Sequence, residues 1–251
     1  MVTRRTVLKQ GGLMLAAAAL FPRHLWAEVG PVMATLAAYM AAAKDRAIPP
    51  NVLDETKHHV LDTLAAMVSG AELPAGMTVL AYARAQSGRP EATVAASTLL
   101  LPPVEAGMLN GLLAHCDETD DSHGESQSHP GAAVVPAALA LGESLKVSGM
   151  HFLRAIALGY DVGPRFTMAL GGVDFRNETR RSTHAIAGNF GAAAAAGCVA
   201  SLNADQMRFL LDYSAQQASG FAVWERDVDH VEKAFMFGGM PARNGVQAAT
   251  F

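Results

Sequence analysis

The run Ala192–Ala196 lies inside a stretch from Ser182 to Ser201 in which alanine and glycine supply most of the positions. Alanine is the strongest helix former and carries almost no side-chain bulk. The stretch therefore predicts a helix whose small residues let its neighbours approach closely, and a chain built round it is constrained to pack helix on helix. The wider composition agrees, since a chain that is 51% hydrophobic and rich in Ala, Leu and Gly favours helices over sheet. At 251 residues it is long enough for one large domain or two small ones, with a buried core in either case.

Apolar spacing predicts helices over Met33–Arg46, from Pro50-Asn51 to about Ser69, over Ala75–Gln86, and from Pro102-Pro103 to about Cys116. Further helices are predicted over Gly131–Leu145, Gly149–Leu170, Ser182–Ser201 and Ala204–Ser219, the last with Asn203 as N-cap, and one more starts near Pro241. Only Ala92-Thr93-Val94-Ala95 reads as a strand. Phe221–Gly239 is polar, aromatic and aperiodic, which reads as a functional loop. The predicted class is all-α, with one helical domain over residues 28–251.

Between these apolar segments sits a polar one. His115, His123 and His129 share a short span with Asp117, Glu118, Asp120 and Asp121, in a chain with only 17% charged residues. Such a density of titratable groups suits proton transfer or metal binding. If the preceding helix continues, Asp117, Asp120 and Asp121 share one face, and their repulsion raises at least one carboxyl pKa unless a cation intervenes. His129 precedes Pro130, a residue favoured at the first helical position, which predicts His129 at the N-cap, kept neutral by the positive end of the helix. Pro136 is a competing helix start. His184 sits similarly behind Ser182-Thr183, whereas His58-His59 reads as ordinary helix surface. Lys233 lies in an aromatic segment bounded by Gly238-Gly239; it reads either as a carboxylate anchor assisted by Arg243 or as a surface lysine paired with Glu232.

The mildly acidic balance, net −4, argues against a nucleic-acid partner. Residues 1–27 carry Arg4, Arg5, Lys9 and Arg23 and no acid. Thr3-Arg4-Arg5-Thr6-Val7-Leu8-Lys9, the apolar stretch Gly11–Phe21 and Leu25-Trp26-Ala27 resemble a twin-arginine export signal with a small-residue cleavage end. The apolar stretch is about half the ~20 residues that span a bilayer. A periplasmic location follows, with no stable membrane association after processing. Cys116 and Cys198 cannot form a disulfide framework or supply the three thiolates of an iron–sulfur cluster, and read as small buried side chains.

Asn110-Gly111-Leu112-Leu113-Ala114-His115-Cys116-Asp117-Glu118-Thr119-Asp120-Asp121, then Ser128-His129-Pro130-Gly131 through Leu141, Leu158-Gly159-Tyr160-Asp161-Val162, His184 with Gly188-Asn189-Phe190-Gly191, Lys233, and Ala242-Arg243-Asn244-Gly245 together resemble the MmgE/PrpD family. The resemblance covers essentially everything after the signal. It implies a helical domain followed by an α/β lid, with the active site between them. It also implies lyase chemistry on small di- and tricarboxylates by loss of water or carbon dioxide, in a homodimer, with no cofactor and no obligatory metal. Carried over by motif, Asp120 or Asp121, His129, His184 and Lys233 line the pocket, the histidines as base and acid and Lys233 with Arg243 as anchors. Glu118-Thr119 makes the cluster more acidic than the family pattern. The chain stops where the lid is expected, which predicts weak or no turnover by this chain alone, or a lid-bearing second chain.

Two other classes of function compete. One is a non-catalytic binding or assembly subunit. The other is a metal-binding protein using Asp120, Asp121, His123 and His129.

Overall fold

A computed structural model describes residues 29–251; the segment read as an export signal lies outside the described residues. Proline stands in the first turn of each early helix: α1 (Pro31–Ala42), α2 (Pro50–Ala71), α3 (Pro74–Arg84) and α4 (Pro103–His115). There its fixed φ matches the helix and its missing N–H costs nothing. Between α3 and α4 a two-residue antiparallel pair forms, β1 (Ala92–Thr93) with β2 (Leu100–Leu101), in the register Ala92 opposite Leu101. Then come α5 (Gly131–Leu145), α6 (Gly149–Leu170), α7 (Val173–Thr179), α8 (Thr183–Val199) and α9 (Ala204–Gln217). A 3₁₀ turn (Ala222–Arg226), the short α10 (Val231–Ala234), a π-helical turn (Phe235–Gly239) and α11 (Met240–Thr250) complete the order. The all-α expectation holds. Among the described residues no single helix is long and apolar enough to cross a membrane.

Several boundaries follow from capping chemistry. The Ser148 and Ser182 hydroxyls accept from the amides of His151 and Ala185 and start α6 and α8. Asn203 and Gln206 form a reciprocal capping box at α9, as its sequence predicted. Three expectations are corrected. Cys116 ends α4 and Glu118 turns left-handed at φ 56°, so Asp117, Asp120 and Asp121 do not share a helix face. Pro130 rather than His129 is the cap of α5, and Pro136 lies inside that helix. Phe221–Gly239 is largely ordered into the 3₁₀, α and π turns just named, rather than a loop throughout. Both cysteines are free and buried.

The core is centred on α8, which packs against α5, α6, α9 and α11. Every residue of α8 is buried except His184. Its alanines and glycines allow backbone-level approach. A Cβ added at Gly163 of α6 would lie 2.5 Å from the Ala187 carbonyl oxygen and 2.9 Å from Gly191 Cα, and one at Gly245 of α11 would lie 2.5 Å from the Ala192 carbonyl carbon. The close-packed reading of the alanine run is therefore what the fold shows.

Such a crossing tolerates no extra methyl group, because core overpacking costs roughly 1–3 kcal/mol. Gly163→Ala is expected to lower the thermal unfolding midpoint by several degrees. Gly149→Ala, where the added Cβ meets nothing within 4 Å, is expected to leave it unchanged or slightly raised. Equal midpoints for the two variants would contradict the close α6–α8 approach.

Candidate active site

The polar residues converge because two glycines let a π turn lie on α4. A Cβ added at Gly111 would stand 2.5 Å from the Gly238 carbonyl oxygen, so only glycine fits there. Gly111 and His115 are four residues apart and share one face of α4. The residue before Gly238, Phe237, is 2% exposed and places its ring beside His115, with 4.8 Å between centroids. The same phenyl ring lies 4.0 Å from His184 in a nearly parallel stack, 5.6 Å from His129 and 5.1 Å from Trp224. A single-turn π helix of this kind often marks a functional position.

Asp120 forms the floor. Its two oxygens lie 2.9 and 3.0 Å from His115 Nδ1, and both side chains are almost wholly buried. One oxygen is also 3.6 Å from His129 Nδ1, an electrostatic contact beyond hydrogen-bond range. His129 and His184 stack at 5.2 Å, and each keeps some exposure. Asp121 points away from this group. It accepts a hydrogen bond from the Gly131 amide at 2.9 Å and lies 2.9 Å from His59 Nδ1. His59 is therefore not ordinary surface, unlike its neighbour His58.

Lys233 stands at the rim. Its ammonium pairs with Glu118, not Glu232, and lies 5.5 Å from the Trp224 ring centroid and 5.6 Å from that of Phe237. His230 Nδ1 lies 3.0 Å from the same Glu118 oxygen, and the Lys233 backbone amide donates to Asp227 at 2.7 Å. Arg243 lies on α11 with its guanidinium donating to the Asn244 side chain, and nothing among the described residues joins it to the histidine group.

Four buried nitrogens around Phe237 have no hydrogen-bond partner among the described residues: His115 Nε2, His129 Nδ1, His184 Nδ1 and Trp224 Nε1. A buried polar atom left unpaired costs about 1–3 kcal/mol, so four round one ring single this group out as the candidate site. Electrostatics keep the accessible imidazoles neutral. Burial, with His129 and His115 adding to it, pushes the His184 pKa down to about 2. Burial also lowers that of His129, opposed by the Asp120 carboxylate. Burial works against ionisation of Asp121, yet His59, the Tyr160 hydroxyl and the Gly131 amide hold its carboxyl below the usual range.

The metal set expected from spacing is not assembled, because Asp121 turns to His59 and His123 Nδ1 engages the Ser126 hydroxyl at 2.9 Å. His115, Asp120 and His129 place potential ligand atoms within 4.8 Å of one another. There both oxygens of Asp120 lie within hydrogen-bond distance of His115 Nδ1, which fixes the ring and leaves its Nε2 without a partner among the described residues. Of the residues expected from sequence, Asp120, His129, His184 and Lys233 come together, Asp121 supports from behind, and Arg243 stands apart. Phe237 and Trp224 were not singled out from sequence, although the aromatic segment and the paired glycines after Phe237 mark their region. The roles of His115 and His59 were also missed, since nothing local to α2 announces a partner some sixty residues on.

Comparison with known proteins bears on the chain as a whole. The MmgE/PrpD N-terminal domain is matched over residues 34–251. The cis-aconitate decarboxylase-like protein oryM of Aspergillus oryzae is 30% identical over 234 residues, covering 86% of this chain and 48% of that protein. Cis-aconitate decarboxylase of Aspergillus terreus is 29% identical over 213 residues, covering 80% and 43%, and the human enzyme of that name is 28% identical over 208 residues, covering 79% and 41%. The chain thus spans about half the length or less of these curated relatives. With the domain match running from α1 to the last described residue, this chain belongs to the MmgE/PrpD family.

Proposed function

We propose that this helical domain supplies one wall of the active site of a lyase that acts on small di- or tricarboxylates by dehydration or decarboxylation. The observation that carries the reading is the convergence of unpartnered imidazole nitrogens and a lysine ammonium on one aromatic ring. Unsaturated tricarboxylates of the cis-aconitate type are the substrates to try first, given the relatives' names. Export through the twin-arginine-like segment, and pairing with a second copy or a lid-bearing chain, belong to the same proposal and rest on the sequence pattern alone.

The chemistry needs a group that carries a proton, a second polar group near the departing or forming charge, and a cation for the carboxylates. Dehydration removes a proton beside a carboxylate while the hydroxyl leaves with a proton. Decarboxylation breaks a C–C bond, and the electron pair left behind accepts a proton on carbon. His129 suits the proton carrier, because it is partly accessible, held neutral by burial, and 3.6 Å from a carboxylate that stabilises it once protonated. His184 suits a neutral hydrogen-bond donor, fixed in plane by its stack on Phe237 and kept unprotonated by its burial. Lys233 suits the anchor, with Glu118 as its counter-ion until a substrate carboxylate arrives.

Three measurements test the assignment. His129→Ala is expected to lower turnover of the best substrate in a panel of hydroxy- and unsaturated polycarboxylates by about 10²–10⁴-fold, the usual worth of a proton-transfer residue. Lys233→Ala is expected to weaken carboxylate binding by about 10–100-fold in calorimetry, as loss of a charge-assisted hydrogen bond does. Wild-type values in both variants would remove the proposal. The third concerns pH. Because the folded pKa of His184, about 2, lies below its unfolded value, the unfolded chain binds the extra proton. Its contribution to stability is complete above roughly pH 6.5 and declines as pH falls toward the folded value. The thermal midpoint should therefore drop between about pH 7 and 4 more steeply in the wild type than in His184→Gln; parallel curves would contradict a neutral buried His184.

A further inference from the structure

A second polar assembly lies behind the site, where α2, α6 and the turn before α5 meet. His59 Nδ1 lies 2.9 Å from one oxygen of Asp121, whose other oxygen accepts the Gly131 amide at 2.9 Å. The His59 ring rests on Tyr160 of α6, with centroids 4.4 Å apart. A Cβ at Gly131 would meet Thr63 Oγ1 at 2.6 Å, Asp121 Oδ1 at 2.8 Å and the Tyr160 hydroxyl at 2.8 Å, so the turn is clamped from three sides. Gly131 is two residues beyond His129 and opens α5. Asp120 and Asp121 thus act back to back, one on the imidazoles of the site and one on the backbone that carries His129.

The helix partners sharpen the point. His58 is 72% exposed at its side chain and stands 3.8 Å from Glu55, an ordinary surface pair. His59 is half-hidden and reaches 62 positions along the chain to a carboxylate that is itself bonded to main chain. Facing His59 are Glu55 and Asp62 from its own helix, Asp121 from the turn and Tyr160 from α6; Asp62 in turn faces Asp120 and Asp117. An imidazolium at this seam offsets the repulsion among those carboxylates, and the hydrogen bond to Asp121 raises its pKa.

We infer that His59 is a positioning residue for the site: acting through Asp121 and the Gly131 amide, it fixes the turn that presents His129 to Asp120 and His184. The kinetic consequence rests on the function proposed above; the structural one does not. His59 touches none of the reacting atoms, so its removal lowers kcat and leaves KM nearly unchanged. The neutral ring still donates to Asp121, which makes glutamine, a neutral donor of similar reach, the conservative replacement.

The test uses the full chain with ¹⁵N-labelled glycine and histidine, read by NMR, beside steady-state kinetics. His59→Ala is expected to shift the Gly131 amide and the His129 imidazole resonances and to lower kcat by about tenfold or more, the scale of a small misplacement of a reacting group. His59→Gln is expected to restore most of both, and His58→Gln to change neither. In the wild type the Gly131 amide should follow the titration of His59, with a midpoint above the ordinary histidine range. In Asp121→Asn that midpoint should fall back toward about 6.5. Unchanged Gly131 and His129 resonances in His59→Ala overturn the inference, as does an equal effect of His58→Gln. If His59→Ala fails to fold, His59→Gln and Asp121→Asn read the same link from its two ends, and a Gly131 amide indifferent to His59 titration overturns it. Where the chain by itself turns nothing over, as expected of one wall of a site, the NMR arm alone decides the role of His59.

Discussion

Direct backbone contact between Gly111 and Gly238 is the constraint on which the site depends. The two glycines bring a π turn against a helix at a distance no side chain permits. That approach seats Phe237 beside the last residue of α4, and Phe237 in turn orders the three imidazoles and Trp224 around it. The same logic runs through the rest of the domain. Where α6 and α11 cross α8, small residues replace the usual ridges and grooves, and the backbones themselves form the packing surface. A domain of this kind packs through backbone contact rather than through large side chains, and its candidate site is built on the same kind of contact.

Electrostatics then divide the polar segment into two jobs. Asp120 is buried with His115 and faces His129. Asp121, the next residue, faces the opposite way and is held ionised by His59 and an amide despite its burial. Adjacent carboxylates that alternate in direction avoid the repulsion that a shared helix face imposes, and each acquires a separate partner. Glu118 takes a third direction, toward Lys233 and His230 at the rim. The acidity that looked concentrated along the chain is dispersed in space.

Much of the fold was legible because it rests on local rules. Proline starts, the Asn203 cap and apolar spacing locate most helices to within a few residues, and the boundaries of α5 and α6 agree throughout. The alanine run announced its role because nothing but close packing uses so many small residues. What sequence misjudged was the stretch after His115. The predicted helix ends correctly at about Cys116, but the shared carboxylate face required it to continue, and Glu118 instead adopts a left-handed turn that its side chain does not advertise. The site was legible in its members and illegible in its geometry. Asp120, His129, His184 and Lys233 could be chosen by residue type and motif. Phe237 could not, because a phenylalanine in an aromatic segment looks like core until its neighbours are known. Arg243 shows the converse: a guanidinium near the motif in sequence spends its hydrogen bonds on Asn244.

The aromatic ring at the centre has one more effect. His129 and His184 both contact it and stack on each other, yet no hydrogen bond among the described residues joins one imidazole to the other. A proton on one therefore has no wired route to the other through protein. It must travel on a small molecule held between them or on passing water. The stack thus keeps the two imidazoles separate within the protein, one facing Asp120 and the other lying on Phe237.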